Sequence, residues 1–225
     1  MNLKISIENY GDKIPKSYKS NKFGFNKNLD INNLFRGIIL APSFAGKTNL
    51  VFDLIYKSPS IYAKIHLIAR NPDQELYNFL RDKLGPLITI YPPDAPPSVD
   101  MIKQIPNELQ LVIIDDYSND KKLQKDIFSH YFTRGRHKLL STVFLSHSYF
   151  ATDTMIGLNA EYIMILKANS KRNLKLLLND FNIPNVTLDE LYSAYADATK
   201  DKGQFLKIDS LKAIIRKNWD GIIYN

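Results

Sequence analysis

Between Gly37 and Leu50 the chain reads Gly-Ile-Ile-Leu-Ala-Pro-Ser-Phe-Ala-Gly-Lys-Thr-Asn-Leu, an apolar run that breaks into a glycine, a lysine and a threonine in succession. Ala41 to Thr48 fit the phosphate-loop spacing G-x-x-x-x-G-K-[ST], with alanine at the first position. Each part has a chemical duty. Gly46 lets the backbone approach a polyphosphate, and successive N–H groups at a helix start form a nest for an anion. Lys47 meets the β- and γ-phosphates, and the Thr48 hydroxyl ligates Mg²⁺. The binding loop is therefore Ala41, Pro42, Ser43, Phe44, Ala45, Gly46, Lys47, Thr48 and Asn49, and its ligand is a nucleoside triphosphate such as ATP with Mg²⁺. Alanine at the first glycine position costs little where that residue keeps a negative φ.

A second run, Gln110-Leu-Val-Ile-Ile-Asp115-Asp116, is an apolar strand ending in two carboxylates. Downstream of a phosphate loop, Asp115 suits a Mg²⁺ ligand acting through water, and Asp116 suits the group that polarises the attacking water. Paired acids also cap helices, and an aspartate reaches less far than the glutamate common in such sites. Arg134 and Arg136 precede the next strand. If that loop lies beside the nucleotide edge, a guanidinium there can face the γ-phosphate of a neighbouring subunit; a solvated basic loop or a contact to DNA phosphate fits the spacing equally. His147 follows Val143-Phe144-Leu145-Ser146 at a strand's carboxyl end, where α/β sheets bind ligand, so it can orient water, report on the γ-phosphate or serve only structure.

The elements that must hold these groups follow from periodicity. Strands are expected at Ile38–Leu40, Ala63–Ala69, Leu87–Tyr91, 110–115, Ser141–Ser146 and Glu161–Lys167, with helices between them. Leu76, Phe79, Leu80 and Leu84 mark one helix face, and Leu123, Ile127 and Tyr131 another; a weak helix is expected near Met101. Thr187-Leu-Asp-Glu190 is a capping box, and Gly203 introduces a last strand, Gln204–Asp209. The order is that of an α/β fold with a mostly parallel central sheet flanked by helices. The chain divides into an N-terminal strand through Leu3, Ile5 and Ile7 with a basic arm (1–33), a core (34–210) and a basic tail (211–225).

With 225 residues the chain suits one such domain with appendages. It has no cysteine, and its four histidines show no ligand spacing, so disulfide and thiolate-metal classes are excluded. No apolar run approaches ~18 residues and no signal core is present, so neither a membrane span nor secretion is expected. The net charge of +7 biases the protein towards polyanions.

The order phosphate loop, Asp115-Asp116, Gly135-Arg136-His137 before an apolar strand, His147, then Asn159-Ala-Glu-Tyr-Ile-Met-Ile-Leu-Lys167 resembles the genome-packaging ATPases of large double-stranded DNA viruses and virophages, within the FtsK/HerA superfamily. The resemblance covers roughly residues 34–210 and implies a RecA-like P-loop NTPase core. It implies a homo-oligomeric ring, usually hexameric, that pumps double-stranded DNA into a preformed capsid. It also implies a capsid or vertex protein as partner, and a location in the host cytoplasm, a viral factory or the virion. By likeness, Lys47 and Thr48 match the phosphate and Mg²⁺ residues, Asp115 the metal residue, Asp116 the catalytic acid, Arg136 the arginine finger and His147 the sensor. The chain departs twice: the sensor is more often glutamine or asparagine, and Gly157 stands near where a basic residue is common before the asparagine. Candidate DNA-phosphate contacts are Lys121, Lys122, Lys125, Lys167, Lys171 and Arg172. The alternatives are a P-loop kinase or GTPase acting on a small molecule, and a structural component that binds nucleotide only to assemble. No Asn-Lys-x-Asp follows a late strand and no arginine-rich lid is evident, which disfavours the first.

Overall fold

The computed structural model describes residues 23–167, 171–181 and 186–224. The expected strand through Leu3, Ile5 and Ile7 and most of the basic arm lie outside the described residues. Within them the strands are β1 Phe25–Asn26, β2 Ile31–Asn32, β3 Arg36–Leu40, β4 Tyr62–Ala69, β5 Ile88–Tyr91, β6 Leu109–Asp115, β7 Leu140–Ser146, β8 Tyr162–Leu166, β9 Phe205–Asp209, β10 Ile214–Lys217 and β11 Gly221–Tyr224. The helices are α1 Lys47–Tyr56, α2 Glu75–Leu84, α3, α4 Thr154–Leu158, α5 Lys171–Asp180 and α6 Leu188–Ala198. Helix α3 joins Lys121–Leu123, a π turn at Gln124–Phe128 and Ser129–Arg134.

One nine-stranded sheet carries the fold, in the order β11-β10-β9-β8-β3-β7-β6-β4-β5. From β8 to β5 every pairing is parallel; β9, β10 and β11 continue it antiparallel. The apolar runs are continuous because both sheet faces are covered. Ile38, Leu40, Val112, Ile114 and Phe144 pack on α3, α5 and α6, whereas the alternate residues Ile39, Leu111, Ile113, Val143 and Leu145 pack on α1, α2 and the β1–β2 hairpin. Residues 211–224 are therefore not a tail: β10 and β11 extend the sheet, and Ile215 is fully buried. Leu29 and Ile31 of the hairpin are core residues too.

Two further expectations are corrected. Around Met101 the chain turns without forming a helix, pinned by the buried side chains of Val99 and Ile102 while Met101 is exposed. On α2 the buried residues are Tyr77 and Leu80; Leu76 and Phe79 face outwards, Phe79 stacking on Phe52 with ring centres 6.4 Å apart. The Thr187–Glu190 capping box forms as expected. Among the described residues no helix is long and apolar enough to cross a membrane.

Candidate nucleotide site

Strand register brings the sequence candidates together. Leu40 pairs with Ser146, and Asp115 pairs with both Leu145 and Ala69, so β3, β7, β6 and β4 end at one level. The phosphate loop, His147, Asp116 and Asn71 all leave the sheet there, at its carboxyl edge. Because β7 lies between β3 and β6, His147 is delivered between the lysine loop and the acids.

The loop is shaped for an anion. Ala41 continues the sheet, its N–H donating to Ser146 O at 3.1 Å, and it keeps a negative φ, which accounts for the tolerated alanine. Phe44 at the crown is fully exposed with φ 62°, and Gly46 caps α1 with φ 99°, a conformation glycine adopts without a Cβ penalty. Lys47 Nζ folds back to donate to Ala41 O (2.8 Å) and Pro42 O (3.1 Å). Burial lowers its pKa, against the opposing pull of Asp115 and Asp116. Ser43, Phe44, Gly46, Lys47, Thr48 and Asn49 line a cleft of about 660 Å³ with Asp115, Asp116 and His147. Ala41 and Pro42 do not line it, offering carbonyls to Lys47 instead. Ala45 lines an adjoining cavity with Leu166, Lys202 and Phe205.

His147 bridges the two halves of the site. Its Nε2 lies 3.1 Å from Asp116 Oδ1, and since a carboxylate only accepts, Nε2 carries the proton. Nδ1 is then an acceptor, 3.5 Å from Lys47 Nζ. Asp116 sits at φ 64° and takes a second hydrogen bond on Oδ2 from Asn71 Nδ2 at 3.2 Å. Aspartate tolerates this left-handed conformation better than most residues. A carboxylate so held, with one oxygen on a histidine, suits a base towards water in the cleft.

Asp115 is different. It is buried, and burial raises its pKa, opposed by the Tyr77 hydroxyl, which donates to Oδ2 at 2.6 Å, and by Lys47. Tyr77 is itself fully buried, so a phenol from α2 holds the acid expected on the metal. Among the described residues no cluster of three or more His, Cys, Asp or Glu could hold an ion alone. A hydroxyl and one carboxylate fit Mg²⁺, which keeps several waters and takes phosphate oxygens as ligands. Bound with a triphosphate, Mg²⁺ would neutralise phosphate charge there. Sequence reasoning missed Tyr77, Asn71 and Lys202. Only Asn71 had a signal, its place just beyond a strand's carboxyl end.

Arg134 and Arg136 are not beside this edge. A loop entering a parallel strand lies at its amino end, and β7 places them at the opposite edge, roughly 20 Å away along seven residues. Arg134 pairs with Asp100 at 3.2 Å, while the exposed Arg136 lines a small cavity with Arg36 and Glu161. Gly157, near where a basic residue is common in the family resembled, is crowded: a Cβ would stand 2.7 Å from the Tyr149 hydroxyl, so a side chain there requires Tyr149 to shift.

No protein-family model matches the chain, and no curated protein does. Solved structures do. The genome-packaging NTPase B204 of Sulfolobus turreted icosahedral virus 2, in complex with AMPPCP, is 13% identical over 84% of this chain and 98% of that one, with TM-score 0.59. The cytoplasmic domain of the Thermomonospora curvata type VII secretion ATPase EccC is 10% identical over 83% of this chain and 26% of that one, with TM-score 0.56. ATPases 2 and 3 of EssC from Geobacillus thermodenitrificans are 8% identical over 84% of this chain and 38% of that one, with TM-score 0.51. The chain thus has the P-loop NTPase fold shared by the viral packaging NTPase B204 and the ATPases EccC and EssC.

Proposed function

We propose that this protein is an ATP hydrolase that drives double-stranded DNA into a preformed capsid, working as a homo-oligomeric ring, with six subunits the expected number. The observation that carries the hydrolase part is the Lys47–His147–Asp116 chain of contacts across adjoining strand ends, facing an open cleft. It supplies a cation for the phosphates and a base for water in one place. The DNA part draws on the net charge of +7 and on Lys121, Lys122, Lys167, Lys171 and Arg172, which follow the carboxyl ends of β6 and β8 on the nucleotide side of the sheet. It also draws on the likeness to the viral NTPase. A capsid or vertex protein would be the docking partner, in the host cell or the virion.

The test is ATP turnover with and without duplex DNA. Stimulation by DNA of any sequence, weakening steeply as salt rises, supports the reading. Phosphate transfer to a small molecule would place the chain among kinases, and binding without turnover would make it an assembly component. In a ring with head-to-tail contacts, a residue far from its own cleft meets a neighbour's. Arg136→Ala should therefore lower turnover by about 10³-fold, and mixing it with Lys47→Ala subunits should restore part of it. No rescue, or turnover that persists on dilution to monomer, defeats the shared site.

A further inference from the structure

We propose that Gln124 is a positioning residue that sets the distance between Asp116 and His147. It stands eight residues beyond Asp116, near the start of α3, and its side chain is fully buried.

Helix spacing makes this placement possible. Gln124 lies on one face with Phe128, Tyr131 and Phe132, at i, i+4, i+7 and i+8, and all four are fully buried. The amide then meets two loops that have few regular partners. Nε2 donates to Tyr117 O (3.0 Å) and Ser118 O (2.8 Å) just beyond β6, and lies 3.2 Å from Ala151 O beyond β7. Oε1 accepts from Asp153 N at 2.7 Å. These are the loops that carry Asp116 and His147. A serine relay finishes the connection: Ser118 Oγ donates to Ser146 Oγ at 3.1 Å and accepts the His147 N–H at 3.2 Å. Both donors and the acceptor of one carboxamide thus tie the acid loop to the histidine loop. An apolar side chain would fill the volume but cut the tie: Ser118 O would lose its donor, while Tyr117 O would keep only the Asp120 N–H and Ala151 O only the Lys121 ammonium.

This inference rests on the hydrolase reading, in which the pair Asp116–His147 acts on water. Gln124→Met keeps length and removes hydrogen bonding. In the full-length protein, kcat for ATP should fall by about 10- to 100-fold, the scale of a small misplacement at a reacting centre, while KM for ATP stays near that of the wild type. In the nucleotide-free protein, imidazole nitrogen NMR should show His147 as the Nε2-protonated tautomer in the wild type and a mixture in the variant. Ser118→Ala, a milder cut in the same connection, should lower kcat less, in the same direction. Folded Gln124→Met with wild-type kcat and tautomer overturns the proposal. So does a Gln124→Met protein that fails to fold while Ser118→Ala turns over normally. If the wild type does not hydrolyse ATP, the hydrolase reading fails, and the tautomer comparison still decides whether Gln124 positions the pair.

Discussion

Lys47 and Lys207 each bury an ammonium and turn it towards backbone carbonyls, and burial lowers the pKa of both, that of Lys207 to about 8. Their surroundings differ. Lys207, on β9, is fully buried; its Nζ donates to the carbonyls of Leu29 (2.8 Å), Asp30 (3.1 Å) and Trp219, with the Asp30 carboxylate 3.5 Å away. Every donor is used, and the lysine ties the β1–β2 turn to the antiparallel half of the sheet. Lys47 also reaches two carbonyls, but it faces an open cleft with a histidine and two acids around it. A buried cation with all its partners inside the fold is structural. One whose partners line a cleft is available to a ligand.

The sharpest way to break this contrast is to remove each lysine. Lys47→Ala should lower ATP turnover by about 10³-fold, the loss expected for a preorganised charge facing a reacting phosphate. Calorimetry should show a melting temperature no lower than the wild type, because Lys47 itself lines the cleft, and the space its ammonium leaves beside the two carbonyls opens to water. Unfolding of this variant would make Lys47 a second Lys207.

Lys207→Met should do the reverse. Removing the charge leaves three interior carbonyls and Asp30 without it, at a cost of about 3–5 kcal/mol in denaturant titrations, with turnover per folded molecule retained. Its pH dependence has a definite sign. The folded pKa near 8 lies below the ordinary 10.5, so the unfolded chain binds more protons between those values and the wild type gains stability as pH rises through them. The variant lacks that gain, so its deficit should widen with pH over this window. A deficit that narrows would mean the ammonium is better solvated than its contacts indicate.

The same contrast governs what the sequence could reveal. The parallel half was legible because its strands, covered on both faces, read as uninterrupted apolar runs, and because the phosphate loop and Asp115-Asp116 carry their chemistry in consecutive residues. The antiparallel half was not. Phe205-Leu-Lys-Ile-Asp209 showed as a strand, but Ile214-Ile-Arg-Lys217 read as a basic tail, since nothing local says that charges there find partners. On α3 the expected inner residues Leu123, Ile127 and Tyr131 do pack on the core, but the fully buried face is Gln124, Phe128, Tyr131 and Phe132, and a glutamine gives no apolar signal. Tyr77 was hidden because leucine and phenylalanine picked out a different face of α2 from the one that Asp115 requires. Arg136 falls at the far edge because a residue just before a parallel strand lies at that strand's amino end, and the direction of β7 is not visible in the spacing alone.

Asp115 offers the smallest and most discriminating change. Its carboxyl is desolvated, and the Tyr77 bond and Lys47 do not fully offset that, so its folded pKa is raised. A raised carboxylate pKa means that the native state binds more protons than the unfolded chain between the ordinary and the folded values, and stability falls as pH rises through that interval. An asparagine side chain in its place would still accept from Tyr77 but carry no charge. Asp115→Asn should therefore melt about 2–4 °C higher than the wild type at neutral pH without nucleotide, the shift that corresponds to roughly 1 kcal/mol in a chain of this size. The advantage should shrink as pH falls through the same interval and vanish below the ordinary carboxylate range, while Mg²⁺-dependent nucleotide binding weakens throughout. Stability given up at a site for the sake of its ligand has this signature. If Asp115→Asn melts lower than the wild type at neutral pH, the carboxylate is held as firmly by its neighbours as Lys207 is by its carbonyls, and Asp115 belongs with the structural charges rather than with the site.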